Sequence, residues 1–236
     1  MIRPVLIPGL LSDGVVWQDL APLLGPGTVC AHPVQDDRIP DMAARILTQV
    51  PGEIVAIGHS MGGRIAMDMA RQAPDRLRGL VLISTGHNGG TTAELPKRQA
   101  RIALAHDSME KLADDWLPPM VAPARQGDAA LMGVLRQMVL RHDAQIHERQ
   151  IHALINRPDA AVSLPRITCP VLLLVGDQDG WSPVTQHKEM AAMTPDATLR
   201  VIAGAGHFLP LEKSAGMVSA ILGWLDEKGL SHGKND

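Results

Sequence analysis

The chain has 236 residues, 45% of them hydrophobic and 20% charged, which is ordinary for one folded domain with a modest insertion. Its formal net charge of −3 gives no electrostatic reason to expect nucleic acid or an anionic membrane as a partner. With four Trp, one Phe and no Tyr, it has few rings from which to build a stacking platform for single-stranded nucleic acid.

Six short apolar runs are predicted to be buried strands. In chain order they are Val5–Ile7, Val29–Ala31, Glu53–Ile57, Gly79–Ser84, Pro170–Val175 and Thr198–Ile202. Near-continuous apolar strands are typical of a parallel sheet covered on both faces. Helical patterns at 41–49, 60–72 and 213–224 lie around them, the first with Asp41 as its expected cap. The alternation predicts an α/β fold, with a mostly parallel central sheet flanked by helices.

The alternation stops between the fourth and fifth predicted strands. Residues 87–161 have helical patterns instead, at 93–105, 108–116, 128–141 and 145–156. We therefore predict a helical insertion at 87–161, carried by a core that consists of residues 1–86 and 162–236.

Residues 56–64 read AIGHSMGGR, so that Ser60 lies in a Gly-x-Ser-x-Gly motif between a strand and a helix. In that context a sharp turn exposes the serine oxygen, and flanking glycines remove side chains that would clash. The helix N-terminus nearby favours developing negative charge. The motif therefore predicts a nucleophile, the alternative being a chance Gly-Ser turn.

A nucleophilic serine needs a base and an orienting carboxylate. Among ten histidines, His207 follows the last strand in the Gly-rich segment 204–207, at the sheet edge where sites in such folds lie. Asp177 and Asp179 both follow the fifth strand; we expect Asp177 to hold the turn and Asp179 to meet His207. The order Ser60, Asp179, His207 is the one used by this type of active site.

Two backbone N–H groups are expected to stabilise an oxyanion. One is that of Met61, directly after the nucleophile. The other is that of Leu10, in the loop after the first strand, where Gly9 lets the backbone approach a substrate closely. A simple Pro-Gly turn is the alternative for this loop.

Taken together, these segments resemble the α/β-hydrolase superfamily, in its branch of small capped esterases and lipase-like hydrolases. The matching residues are Pro8-Gly9-Leu10, Trp17, Gly58–Gly63, Gly176–Asp179, Pro183 and Gly204–His207. The resemblance implies Ser60 as nucleophile, Asp179 as acid, His207 as base, and Leu10 and Met61 as oxyanion donors. It also implies that residues 87–161 are a cap over the pocket. Because Val5 already belongs to the strand before the oxyanion loop, the antiparallel strands that often open such chains are expected to be missing.

The predicted reaction is hydrolysis of a small-molecule carboxylic ester with an apolar acyl or aromatic group, without metal or organic cofactor. Apolar side chains of the insertion and the core loops are expected to contact the substrate: Trp116, Leu117, Met120, Trp181 and Phe208. Positive and negative charges balance over residues 87–162, which gives no support for a carrier-protein partner. His142, His147 and His152 are five residues apart, which does not form a metal-binding helix face.

Two alternatives remain open for the function. The same serine site could open enol-lactones, hydrolyse carbon–carbon bonds or oxidise halides without a cofactor. The chain could also be a ligand-binding module without catalysis, although the intact Ser60, Asp179 and His207 set weighs against that.

The expected location is the cytoplasm. Only Cys30 and Cys169 are present, as expected for buried thiols in a reducing compartment. The apolar N-terminus is too short and interrupted for a signal peptide, and no run approaches the ~18 apolar residues that span a bilayer.

Overall fold

The computed structural model describes residues 2–231 and is organised around one six-stranded sheet. The strands are β1 (Arg3–Ile7), β2 (Val29–Cys30), β3 (Ile54–His59), β4 (Leu77–Ile83), β5 (Val171–Gly176) and β6 (Ala197–Ile202). Each coincides with a predicted strand, and the ends differ by one or two residues.

The strand order is β2-β1-β3-β4-β5-β6, and every neighbouring pair is parallel. The predicted α/β fold class is therefore confirmed, and the sheet of the described chain has no antiparallel strand before β1. Because all strands run the same way, the loops that follow β1, β3, β5 and β6 open at one edge of the sheet. These four loops carry all the predicted catalytic groups.

The four inner strands β1, β3, β4 and β5 are almost entirely buried because apolar side chains project from both faces. The edge strands β2 and β6 are only partly buried, so the prediction of six buried strands is wrong for these two. Along β3, Val55 and Ile57 join one hydrophobic cluster, whereas Ile54 and Ala56 join the other. This is the alternation expected of a strand with two covered faces.

Nine helices are described. They are α1 (Ile39–Gln49), α2 (Met61–Gln72), α3 (Leu95–Asp107), α4 (Met109–Trp116), α5 (Ala129–Leu140), α6 (Ala144–Ile155), α7 (Val184–Met193), α8 (Leu209–Glu212) and α9 (Ser214–Glu227). The first hydrophobic cluster contains residues of α9, and the second contains residues of α1 and α2, so helices cover both faces of the sheet.

Two details of the helices differ from expectation. The predicted capping by Asp41 is wrong, because α1 begins at Ile39 with Arg38 at its cap position, and Asp41 lies inside the first turn. Helix α7 was not anticipated from the sequence, because only His187 and Met190 are buried along it. An isolated buried pair does not produce the apolar stripe on which helix recognition depends.

Helices α3 to α6 lie between β4 and β5, within the predicted insertion. Side chains from this segment, among them Leu112, Trp116 and Leu135, share one hydrophobic cluster with Leu6 and Trp224 of the core. The apolar side chains of this segment therefore continue the hydrophobic core of the sheet and do not form a separate core.

Among the described residues, no helix is both long and apolar enough to cross a bilayer. Both cysteines are free thiols: Cys169 is buried and Cys30 is partly exposed. Burial raises the pKa of the Cys169 thiol to about 11.

Candidate active site

Ser60 occupies the turn between β3 and α2. Its φ of 55° lies in the left-handed region that non-glycine residues rarely adopt. A Cβ on Gly58 would lie 2.3 Å from the carbonyl oxygen of Gly62, and one on Gly62 would lie 2.0 Å from that of Ile7. The Ser60 N–H donates to the carbonyl oxygen of Ile83 on β4, 2.9 Å away. Glycines and the neighbouring strand thus stabilise a strained turn that presents Ser60 at the edge of the sheet.

The structure brings His207 and Asp179 to Ser60. The His207 Nε2 atom lies 2.8 Å from Ser60 Oγ, and His207 Nδ1 lies 3.0 and 3.1 Å from the two carboxylate oxygens of Asp179. Both side chains are buried. A carboxylate only accepts, so the neutral ring carries its proton on Nδ1 and leaves Nε2 to accept the Ser60 hydroxyl proton. The three residues form one continuous chain of hydrogen bonds.

The environment of Asp179 keeps its carboxyl group ionised. Burial opposes the charge, yet the pKa lies below its usual value because the His207 imidazole and the Ser182 N–H stabilise the carboxylate. The N–H of Trp181 donates to the same oxygen as that of Ser182, at 3.0 Å. Asp179 can therefore accept a hydrogen bond from His207 Nδ1–H throughout the neutral range.

Asp177 has a different environment. Its side chain is exposed, and its Oδ1 accepts the Gly204 N–H at 2.7 Å. Gly204 has φ 69°, a value that glycine adopts without penalty. Asp177 thus ties the loop after β5 to the loop after β6, and within the described chain it makes no hydrogen bond to His207.

His59 packs against the back of His207, with ring centroids 5.4 Å apart. Its Nε2 lies 2.8 Å from the His207 carbonyl oxygen. Since a carbonyl only accepts, Nε2 carries the proton and donates. Burial, with the nearby His207, lowers the pKa of His59 to about 3, so this ring is neutral. His59 therefore stabilises the backbone that carries His207.

The inserted segment also holds the His207 loop. The Met120 carbonyl oxygen accepts the His207 N–H at 2.8 Å. Buried Glu212 accepts from the N–H groups of Gly206, at 3.0 Å, and Ala122, at 2.8 Å. Burial raises the pKa of Glu212. The position of His207 thus depends on contacts with residues that the sequence places in the insertion.

Leu10 and Met61 line the same cavity as Ser60. Met61 is the first residue of α2, so its N–H has no intrahelical acceptor. The Leu10 N–H donates to no acceptor among the described residues. Both groups are available for an oxyanion.

Sequence reasoning missed Gln150, which secures the Leu10 loop from α6. Its side chain is fully buried; Oε1 accepts the Leu11 N–H at 2.9 Å, and Nε2 donates to the Pro33 carbonyl oxygen at 3.1 Å. Leu11 has φ 50°, another left-handed value. The contact joins residues 139 positions apart, and nothing in the local pattern of α6 distinguishes Gln150 from other polar residues.

We expect Gln150→Leu to lower kcat for ester hydrolysis about tenfold, with a smaller effect on KM. The variant leaves the buried Leu11 N–H without an acceptor, which costs about 1–3 kcal/mol and lets the Leu10 amide move. Initial rates and urea unfolding measure the two effects, with exposed Gln145→Leu on the same helix as control. Loss of stability with unchanged kcat would show that Gln150 does not position the loop for catalysis.

A cavity of about 700 Å³ opens on Ser60. Of the expected substrate contacts, Trp116, Met120 and Trp181 line it. Leu117 and Phe208 do not line it and are only 2% and 1% exposed. Their contact with a substrate stays a prediction.

A second cavity, of about 330 Å³, adjoins the first and shares Trp116 and Trp181 with it. It adds apolar side chains of the insertion, Leu112 and Ile151. The two cavities together extend from Ser60 toward the inserted helices.

The Ser60 cavity is more charged than the apolar lining that we predicted. Its charged residues are Arg64, Glu94, Arg98, Arg157 and Asp159. Arg64 and Arg157 also border a separate cavity of about 410 Å³, which Ser60 does not line. The sequence could have indicated Arg64 as a cavity residue, because it lies four residues after Ser60, about one helical turn. The other four come from the insertion, and only the tertiary structure brings them here.

Comparisons with known proteins agree with this fold and site. A family model described as the alpha/beta hydrolase family matches residues 5–220. A pimeloyl-acyl-carrier-protein methyl ester esterase from Photobacterium profundum is 30% identical over 86% of each chain. An N-formylmaleamate deformylase from Pseudomonas putida is 25% identical over 94% of this chain and 88% of its own. The solved structure of a thermophilic esterase from Thermogutta terrifontis superposes with a TM-score of 0.85, at 25% identity over 97% of this chain and 90% of that one. On the match to the family model and on these relatives, the chain belongs to the α/β-hydrolase family.

Proposed function

We propose that the protein is a serine esterase that hydrolyses small carboxylic esters through an acyl-enzyme on Ser60. The observation that carries this proposal is the unbroken hydrogen-bond chain from Asp179 through His207 to Ser60 at a 700 Å³ cavity. A serine that only filled a turn would need neither the histidine nor the aspartate. The esterases among the relatives support the same reaction class.

The first half of the reaction forms the acyl-enzyme. Ser60 Oγ attacks the ester carbonyl carbon while His207 Nε2 takes the hydroxyl proton. The oxyanion accepts hydrogen bonds from the N–H groups of Leu10 and Met61. His207 is then positively charged, and ionised Asp179 beside its Nδ1 stabilises that charge. The carbonyl re-forms as the alcohol leaves with the proton from Nε2.

The second half releases the acid. Water gives a proton to His207 Nε2 as its oxygen attacks the acyl carbon, and the same two amides stabilise the second oxyanion. The Ser60 oxygen leaves and takes back the proton. Trp116, Met120 and Trp181 supply apolar contact for the acyl or aromatic group.

A second candidate is hydrolysis of another carbonyl substrate by the same groups. One relative is a deformylase, and the charged side chains in the cavity favour polar substrates over purely apolar ones. Enol-lactone opening and carbon–carbon bond hydrolysis also begin at a substrate carbonyl. A binding module without catalysis is disfavoured because it has no use for a neutral His207 Nε2 directed at Ser60.

The test combines labelling with turnover. A fluorophosphonate probe is expected to modify the peptide that contains Ser60 and to abolish hydrolysis of p-nitrophenyl esters in proportion to labelling, read by mass spectrometry and absorbance. Labelling of Ser60 without turnover of any ester from acetate to dodecanoate would contradict ester hydrolysis and favour the second candidate, hydrolysis of another carbonyl substrate. No labelling would contradict both.

A further inference from the structure

The wall of the Ser60 cavity carries three arginines and two carboxylates: Arg64, Arg98, Arg157, Glu94 and Asp159. Counted as ionised groups they leave one positive charge in excess. Asp159 is exposed and its Oδ1 accepts the Ala161 N–H; within the described chain it forms no salt bridge with the three arginines, although its charge acts on Arg64 at longer range. Direct pairing of the guanidinium groups therefore depends on Glu94.

Glu94 is already engaged by two arginines. Arg157 binds both of its oxygens, at 2.6 and 3.0 Å, and Arg98 lies 2.7 Å from Oε2. Arg157 also donates to the carbonyl oxygens of Asn88 and Leu154. Arg98, Glu94 and Arg157 thus form a closed cluster that fixes the cavity wall.

Arg64 stands outside this cluster. Its Nη1 donates to the Asn88 carbonyl oxygen at 2.9 Å, and within the described chain it pairs with no carboxylate. Its Nε and Nη2 have no acceptor there. Burial, together with the positive charges of Arg157 and Arg98, lowers the pKa of Arg64 to about 9, although the negative charges of Glu94 and Asp159 oppose this shift. A guanidinium in such surroundings remains charged at neutral pH and gains most from an anionic ligand.

We propose that Arg64 binds a carboxylate of the substrate, so that the preferred substrates are esters with one further carboxylate group. This inference rests on the proposed ester hydrolysis at Ser60. Arg64 lies on α2 four residues after Ser60, a rise of about 6 Å, which suits a short linker between the ester and the carboxylate. One excess positive charge matches a singly charged carboxylate better than a doubly charged phosphate.

The kinetic test compares mono-p-nitrophenyl glutarate with p-nitrophenyl pentanoate, which share the acyl chain length but differ in the terminal carboxylate. We expect kcat/KM to be about 10- to 100-fold higher for the glutarate, mostly through KM. Arg64→Met should bring the two substrates to within about threefold of each other, through a loss of kcat/KM that is larger for the glutarate. Arg64→Lys should keep part of the preference, since lysine retains the positive charge but lacks the paired N–H donors of the guanidinium group. Exposed Arg78→Met, in β4, should keep all of it.

A second pair places the carboxylate in the leaving alcohol: 3-carboxyphenyl acetate against phenyl acetate. An Arg64-dependent preference in either pair supports the inference and identifies the half of the ester that carries the anion. Ser60-dependent hydrolysis with no preference in either pair overturns the inference and leaves the proposed function standing.

A binding measurement tests Arg64 independently of turnover. In Ser60→Ala, titration calorimetry should detect glutarate, and Arg64→Met in that background should weaken it at least tenfold. Glutarate should also inhibit the wild-type protein competitively. No glutarate binding, inhibition that is not competitive, or Arg64-dependent binding of inorganic phosphate in place of glutarate would each refute a carboxylate subsite beside Ser60.

Discussion

Replacing Ser60 by alanine is expected to lower kcat for ester hydrolysis by about 10⁴- to 10⁶-fold. The substitution removes the hydroxyl that lies 2.8 Å from His207 Nε2, so no acyl-enzyme can form on this residue. Catalysis that remains would come from the Leu10 and Met61 amides acting on direct attack by water. The measurement is steady-state hydrolysis of a p-nitrophenyl ester, with fluorophosphonate labelling of the same samples.

The fold should survive this change. Alanine has the same backbone restriction as serine at φ 55°, and the Ser60 N–H bond to Ile83 is retained. We expect Tm to stay within about 4 °C of the wild type. Ser219→Ala, exposed on α9, is the matched control and should keep full activity. Equal labelling of the wild type and of Ser60→Ala would refute Ser60 as the nucleophile.

Asp179→Asn is expected to lower kcat by about 10³- to 10⁴-fold. The asparagine carbonyl oxygen would keep the bonds from the N–H groups of Trp181 and Ser182, which turns its amide nitrogen toward His207. That nitrogen donates, so His207 Nδ1 must accept and Nε2 must carry the proton. In that tautomer Nε2 cannot take the Ser60 proton.

Asp177→Asn is the comparison that separates the two acids. Its Oδ1 can still accept the Gly204 N–H, so kcat should stay within about threefold of the wild type. Steady-state rates for both variants, with Tm as a check on folding, decide the assignment. A large loss in Asp177→Asn together with full activity in Asp179→Asn would show that the wrong aspartate had been chosen.

The sequence predicted the parts of the molecule that depend on local patterns. Six apolar runs became six parallel strands, and the four inner ones were the clearest because strands buried on both faces need apolar side chains at nearly every position. The Gly-x-Ser-x-Gly turn was predictable because a Cβ at Gly58 or Gly62 would overlap backbone atoms. His207 and Asp179 were found because both follow strands whose ends meet at one edge of a parallel sheet.

The sequence did not predict which side chains of the insertion face the cavity. Leu117 and Phe208 have the same apolar character as Trp116 and Met120 and belong to the same hydrophobic cluster, yet only Trp116 and Met120 also line the Ser60 cavity. Periodicity indicates that a residue is buried, without indicating whether it is buried against the core or beside a cavity.

What the sequence alone determined is the α/β architecture and the identity of the groups proposed for catalysis, because these follow from strand burial and from residues next to strand ends. What only the tertiary structure decided is the support and the charge of the site. Gln150 reaches Leu11 across 139 residues, and Glu94 meets Arg157 across 63. Such contacts arise when inserted helices fold back over the sheet, and no spacing along the chain encodes the distance between them. The excess charge at Arg64, on which we base the substrate class, was visible only after that packing.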